Sequence, residues 1–214
     1  MSAKSAVVFL VDVDNTLLDN DRITADLKGH LEREVGHERE ERYWAIFEEL
    51  RAELGYADYL GALQRYRVEY PRDPHVLTVS TFLVDYPFAN RLYPRALDVL
   101  ARFRAWAPTV ILSDGDAVDG HVLIYIHKES ELADVECRYP ADHYVVVDDK
   151  LRILTAIKQA WGPRVTTVFP RQGHYAHDPT ALATYPPATV SVERIGDLLE
   201  WDLPGLLAPA APAS

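Results

Sequence analysis

Asp12 and Asp14 are one residue apart at the end of an apolar, β-branched run, Val7–Val13, so strand alternation points both carboxylates to the same side as the chain leaves a sheet. Aspartates also serve as turn and cap residues, and the pair by itself is compatible with a simple turn. The ends of the other apolar runs add weight. Ser113 closes Thr109–Ser113, Lys128 follows Val122–His127, and Asp148 and Asp149 follow Tyr144–Val147. A hydroxyl, an ammonium and several carboxylates are thereby expected at one sheet edge, the convergence that a catalytic site requires. Three or four carboxylates in one place repel one another unless a cation lies among them. Oxygen-only ligands favour magnesium as that cation.

The elements that must position these groups follow from periodicity. The four runs, together with Val165–Phe169 and Thr189–Val192, are each preceded or followed by a helical pattern, which predicts an α/β fold, a Rossmann-like parallel sheet with flanking helices. Ile153, Leu154, Ile157, Ala160 and Trp161 recur at helical spacing and stop at Gly162. Ala96, Leu97, Leu100, Phe103 and Ala107 mark a second helix after Tyr93 and Pro94. Residues 20–90 carry no strand pattern. Their stripes, Tyr43, Phe47, Leu50 and Leu54 ended by Gly55, then Tyr59, Leu63, Tyr66 and Tyr70 opened by Asp58, with a further helix from Asp73 and Pro74, predict a small inserted helical bundle. Aromatic stripes of this kind are read as packing. Residues 1–19 and 91–207 are expected to form the core, with a disordered tail over 208–214.

The chain has 214 residues, enough for one sizeable core with an insertion, and its 26% charged and 48% hydrophobic residues are those of an ordinary folded domain. A net charge of -11 repels nucleic acids and anionic membrane surfaces, so neither is expected as a partner. An anionic substrate would need a local cation against that background. The one cysteine, Cys137, has no internal disulfide partner and reads as a half-buried helical residue. The first apolar run is too short for a membrane or secretory segment, and the expected location is cytoplasmic.

The order D-x-D-x-T, a serine, a lysine and an acidic pair resembles the four motifs of the haloacid dehalogenase-like superfamily. The match covers Val7–Leu18 and about Arg91–Leu199, and Leu92-Tyr93-Pro94 resembles that family's return from its cap domain into the core. The resemblance implies a phosphatase acting on a small phosphorylated metabolite. Asp12 would be the nucleophile, Asp14 the general acid and base, Ser113 a hydrogen-bond donor to phosphoryl oxygens and Lys128 the neutralising cation. Asp12, the Asp14 backbone carbonyl, Asp148 and Asp149 would hold magnesium, and residues 20–90 would be the helical cap. Dehalogenating members lack an acid at the position of Asp14, which favours the phosphatase. Many relatives carry a further aspartate just past the acidic pair, where this chain has Arg152 and Ile153. A catalytically silent member that binds phosphorylated ligands is the alternative. A receiver-type phospho-accepting module is a weaker fit, because receivers order these groups differently.

Thr16 is expected to bond backbone within its turn. His174 and His177, on a loop after the fifth run, are read as surface histidines instead of metal ligands, with substrate contact open to Arg171 and His174. Lys150 reads as a solvated residue at a helix start. The link from Asp114 to His121 is too short for the usual crossover helix. An extended crossover, a parallel third strand and a Lys128 ammonium within about 6 Å of Asp12 are therefore expected, with part of one sheet face left uncovered.

Overall fold

A computed structural model describes residues 4–114 and 122–208. The Asp114–His121 crossover and nearly all of the 208–214 tail lie outside the described residues. The chain divides into two compact units, Met1–Asp19 with Leu92–Ser214, and Asn20–Arg91. In order, β1 (Ser5–Val11) precedes α1 (Asn20–Val35), α2 (His37–Leu54), α3 (Tyr59–Glu69) and α4 (Val76–Asp85). Then come α5 (Ala96–Trp106), β2 (Thr109–Asp114), β3 (Val122–Tyr125), α6 (Leu132–Arg138), β4 (Ala141–Val147) and α7 (Leu151–Trp161). The chain continues through β5 (Val165–Pro170), α8 (Gly173–Ala176), α9 (Pro179–Thr184), β6 (Val190–Val192) and α10 (Leu203–Leu207). No described helix is long and apolar enough to cross a membrane.

The first unit is built on one six-stranded sheet in the order β3-β2-β1-β4-β5-β6, with every described pairing parallel. From β1 the chain works outward in one direction through β2 and β3 and in the other through β4, β5 and β6. The order therefore reverses between β1 and β4. In open α/β sheets the crevice beyond the carboxyl ends at such a reversal is where ligands bind. Alternation along β1 makes two apolar layers. Val8 and Leu10 pack with Val135, Leu154, Ile157 and Trp161 on one face. Val7, Phe9 and Val11 pack with Val99, Phe103, Ile195 and Leu198 on the other, with Phe9 stacked on Phe103 at 4.2 Å between ring centroids. Burial on both faces is why β1 reads as a continuous apolar run.

Several boundaries and exposures differ from the expectations. β1 ends at Val11, so Asp12 and Asp14 stand just beyond the strand. β3 stops at Tyr125, and Ile126 is 49% exposed, because an edge strand pairs on one side only. The expected uncovered face rests on the crossover, which lies outside the described residues. Leu123 is buried, while Ile111, Val122 and Ile124 on the opposite face stay partly exposed. Cys137 is exposed on α6 instead of half-buried, since that helix turns Leu132 and Val135 inward. α5 likewise buries Ala96, Val99 and Phe103 and leaves Leu97 outside.

The second unit is helical. Its core contains Tyr43, Ile46, Phe47, Leu50, Leu63 and Tyr66, so the aromatic stripes are packing. Gly55 ends α2 in the left-handed conformation (φ 84°), donating to Arg51 O, and Asp58 caps α3 by accepting from Gly61 N at 2.7 Å. The helix α1 has no counterpart among the sequence expectations. It buries Ile23, Leu27 and Leu31, a stripe of period four that interleaved charges obscure.

Candidate active site

The sheet ladder continues through the first residue past each central strand. Asp12 N–H donates to Val147 O at 2.9 Å and Asp148 N–H to Val168 O at 3.1 Å, which fixes both carboxylates on the two strands that flank the reversal. Beyond Asp12 the chain closes a tight loop. Thr16, Leu17 and Leu18 all donate backbone N–H to Val13 O, and Asn15 takes a left-handed backbone (φ 57°) while donating to Leu18 O at 2.7 Å. The Thr16 hydroxyl is buried and makes no hydrogen bond among the described residues, so its backbone N–H holds the turn. Strand alternation alone missed this loop.

Lys128 joins the two anchored acids. Its Nζ lies 2.5 Å from Asp12 Oδ1 and 2.6 Å from Asp148 Oδ2, with side chains 1%, 3% and 1% exposed. Burial opposes its charge, but Asp12 and Asp148 outweigh burial and hold the ammonium above the usual lysine range. The lysine thus sits within the expected reach of Asp12, on a short 3-10 turn just past the parallel β3.

Asp12, Asp148 and Asp149 offer carboxylate oxygens within 4.8 Å of one another, the one such cluster among the described residues. Asp12 Oδ2 and both Asp149 oxygens are buried with no hydrogen-bond partner among the described residues. Desolvation, opposed by Lys128, raises the Asp12 carboxyl to about 7. Desolvation, reinforced by Asp148 and Asp12, raises Asp149 to about 9. Burial also raises Asp14, with Lys150 the first charge acting against the rise. Buried carboxylates in this condition either hold protons or hold a cation. Three orphan oxygens in an all-oxygen set fit a hard divalent ion.

Ser113 is the penultimate residue of β2, at the same sheet edge. Lys150 is not a solvated residue. It holds the cap position of α7, is one-quarter exposed, lies 3.3 Å from Asp114 Oδ2 and sits over the Tyr175 ring at 5.2 Å. Arg171 pairs with Glu193, the His174 ring lies tilted against the Tyr175 ring, and neither His174 nor His177 belongs to a metal-ligating group among the described residues.

One residue that sequence reading passed over is Gln172. It is 6% exposed, donates from Nε2 to Thr16 O at 3.1 Å and accepts from Ile195 N–H at 2.6 Å. The next residue, Gly173 (φ 69°), leaves no room for a Cβ, which would lie 2.5 Å from Asn15 Cβ. A Gln-Gly pair one residue past a buried strand was the available signal. Gln172→Leu strands a buried carbonyl and a buried N–H, and it is expected to lower stability by about 1–3 kcal/mol. Urea denaturation measures this, and an unchanged midpoint would show that the bonds contribute nothing.

No family model and no curated protein matches the chain. Among solved structures, a haloacid dehalogenase-like hydrolase of Burkholderia xenovorans LB400 is 60% identical, with a TM-score of 0.86 over 95% of this chain and 100% of its own. The L-2-haloacid dehalogenase of Xanthobacter autotrophicus shares the fold at 18% identity, with a TM-score of 0.54 over 92% of this chain and 97% of its own. So does a HAD-hydrolase of Bacillus subtilis bound to magnesium, at 15% identity and a TM-score of 0.56 over 92% and 98%. Identity of 60% along almost the entire length shows the family: this protein belongs to the haloacid dehalogenase-like hydrolases.

Proposed function

We propose that the protein is a magnesium-dependent phosphatase that hydrolyses a small phosphomonoester through a phosphoaspartate on Asp12. The observation that carries this reading is the buried cluster of Asp12, Asp148 and Asp149 with three unpartnered oxygens. Displacing a halide needs no such cluster, whereas a phosphate dianion approaching it needs added positive charge. Magnesium, held by Asp12, Asp148, Asp149 and the Asp14 carbonyl, would supply that charge.

An Asp12 oxygen attacks phosphorus as the bond to the leaving oxygen breaks, and Asp14 gives that oxygen its proton. Asp14, now a carboxylate, takes a proton from water as the water attacks phosphorus, which frees inorganic phosphate and restores Asp12. Burial keeps the Asp14 carboxyl raised, the direction a proton donor needs. Lys128 keeps Asp12 oriented and offsets charge on the transferred group, and Ser113 donates to its oxygens. The helical unit, inserted between Asp19 and Leu92, is read as the cap that selects the substrate.

A panel of phosphorylated metabolites and p-nitrophenyl phosphate, assayed for phosphate release with magnesium and with chelator, tests the reading. Turnover is expected only with magnesium, and calcium is expected to inhibit because its looser coordination can engage both Asp12 oxygens. Full activity in excess chelator, or halide release from 2-haloacids with no phosphatase activity, would refute it.

The same cluster gives a stability signature. The folded carboxyls of Asp12 and Asp149, at about 7 and about 9, lie above the ordinary 3.8, so the folded metal-free protein binds more protons than the unfolded chain. Stability from these groups is present below about 3.8 and lost as pH rises through about 7 and then about 9. Magnesium is therefore expected to raise the melting temperature more at about pH 8 than at about pH 5.5, because its ligands must be deprotonated. An equal rise at both values in a thermal melt would count against the site.

A further inference from the structure

Lys128 has a weak foundation for a residue that must be placed to within a fraction of an ångström. It follows β3, a four-residue edge strand paired only with β2, and it begins a 3-10 turn of three residues, Lys128–Ser130. Two ion pairs reach this turn from the start of α7. Arg152 Nη1 bonds Glu129 Oε1, one residue from Lys128. Lys150 Nζ lies 3.3 Å from Asp114 Oδ2, and Asp114 Oδ1 is 3.5 Å from the backbone N–H of Lys128.

We propose that Arg152 and Lys150, through Glu129 and Asp114, are positioning residues that hold the Lys128 turn against α7 and so keep its ammonium between Asp12 and Asp148. The physical reason lies in the unequal exposure of the first pair. The Arg152 side chain is 52% exposed but that of Glu129 only 12%, and Glu129 Oε2 is buried with no hydrogen-bond partner among the described residues. Without the guanidinium, an almost buried carboxylate loses its direct ion-pair partner and keeps only its own backbone N–H and the more weakly acting His127, which favours movement out to water. In a three-residue turn that movement carries Lys128 with it. The Arg152 end of the pair is half exposed and the freed carboxylate can reach water, so the consequence should appear in the site more than in the melting temperature.

The test is made on Arg152, because Lys150 also acts directly on Asp12. Arg152→Gln is expected to lower kcat about 10-fold with KM within about twofold of wild type, the scale that a sub-ångström misplacement produces. Arg152→Lys, which keeps the charge, should recover most of it. Hydrogen exchange in the 122–131 segment should quicken at least about fivefold in Arg152→Gln, with β1 and β4 unaltered. The turnover arm rests on the phosphatase reading, and the exchange arm does not. A wild-type protein without phosphatase activity therefore removes that reading and leaves exchange to decide. Unchanged exchange in the 122–131 segment overturns the proposal whatever the turnover, as does a loss in Arg152→Gln that extends equally to β1 and β4.

Discussion

Asp12→Asn is expected to reduce turnover by more than about 10^4-fold, because it removes the only nucleophile in the proposed chemistry while keeping the side chain's shape. The fold should tolerate the change. In the metal-free protein the Asp12 carboxylate is costly, raised to about 7 by burial, and Lys128 retains Asp148 as a partner at 2.6 Å. The variant should therefore melt no lower than wild type in chelator. The loss of activity could then not be blamed on unfolding. Asp14→Asn should be milder, about 10^2–10^4-fold, the usual scale of general acid and base assistance. Phosphate release is the readout for both variants, and an Asp12→Asn enzyme working near the wild-type rate would eliminate the phosphoaspartate route.

Lys128→Met has the second largest expected effect, and it acts on stability and chemistry together. Asp12 Oδ1 and Asp148 Oδ2 lie 2.5 and 2.6 Å from the same ammonium, and Asp149 is in the same cluster. Removing the shared cation leaves buried like charges to face one another, at a typical cost of about 3–5 kcal/mol. For a chain of this size that corresponds to a melting temperature lower by roughly 10 °C in chelator. The deficit should be greatest at high pH, where the carboxyls cannot escape by taking up protons. Magnesium should restore part of the stability but little of the turnover, since a metal ion replaces the missing charge without replacing the lysine's contact with the transferred group. Equal melting of Lys128→Met and wild type at about pH 8 in chelator would show that the acids are compensated elsewhere.

Much of the site was legible in the sequence, for a reason particular to parallel α/β sheets. When every strand runs the same way, residues at the ends of strands in sequence meet at one edge in space, so Asp12, Ser113, Lys128, Asp148 and Asp149 could be grouped by reading where apolar runs stop. The Lys128 position was harder, because a short link after β2 admitted either direction for β3. The reach of an extended chain favoured the parallel one, and the parallel pairing of Ile111 with Val122 agrees.

The remainder depended on contacts between distant parts of the chain. Gln172 went unremarked, since its bonds are to a carbonyl of Thr16 and an N–H of Ile195 that only folding brings to it. Lys150 looked like a solvated charge on a helix start and Arg152 stood out only as lying where relatives carry a further aspartate, because nothing local indicates that Glu129 and Asp114 approach them. The helix α1 went unnamed because its inward stripe is diluted by charges whose placement on the outer side is decided by packing against α2 and α4. Residue type and periodicity are local properties, and they determined the fold class and picked out the candidate reactive groups. Burial, and with it the raised carboxyls of Asp12 and Asp149 and the pairing of Lys128, is a property of the assembled sheet, because desolvation exists only once the surrounding layers have closed.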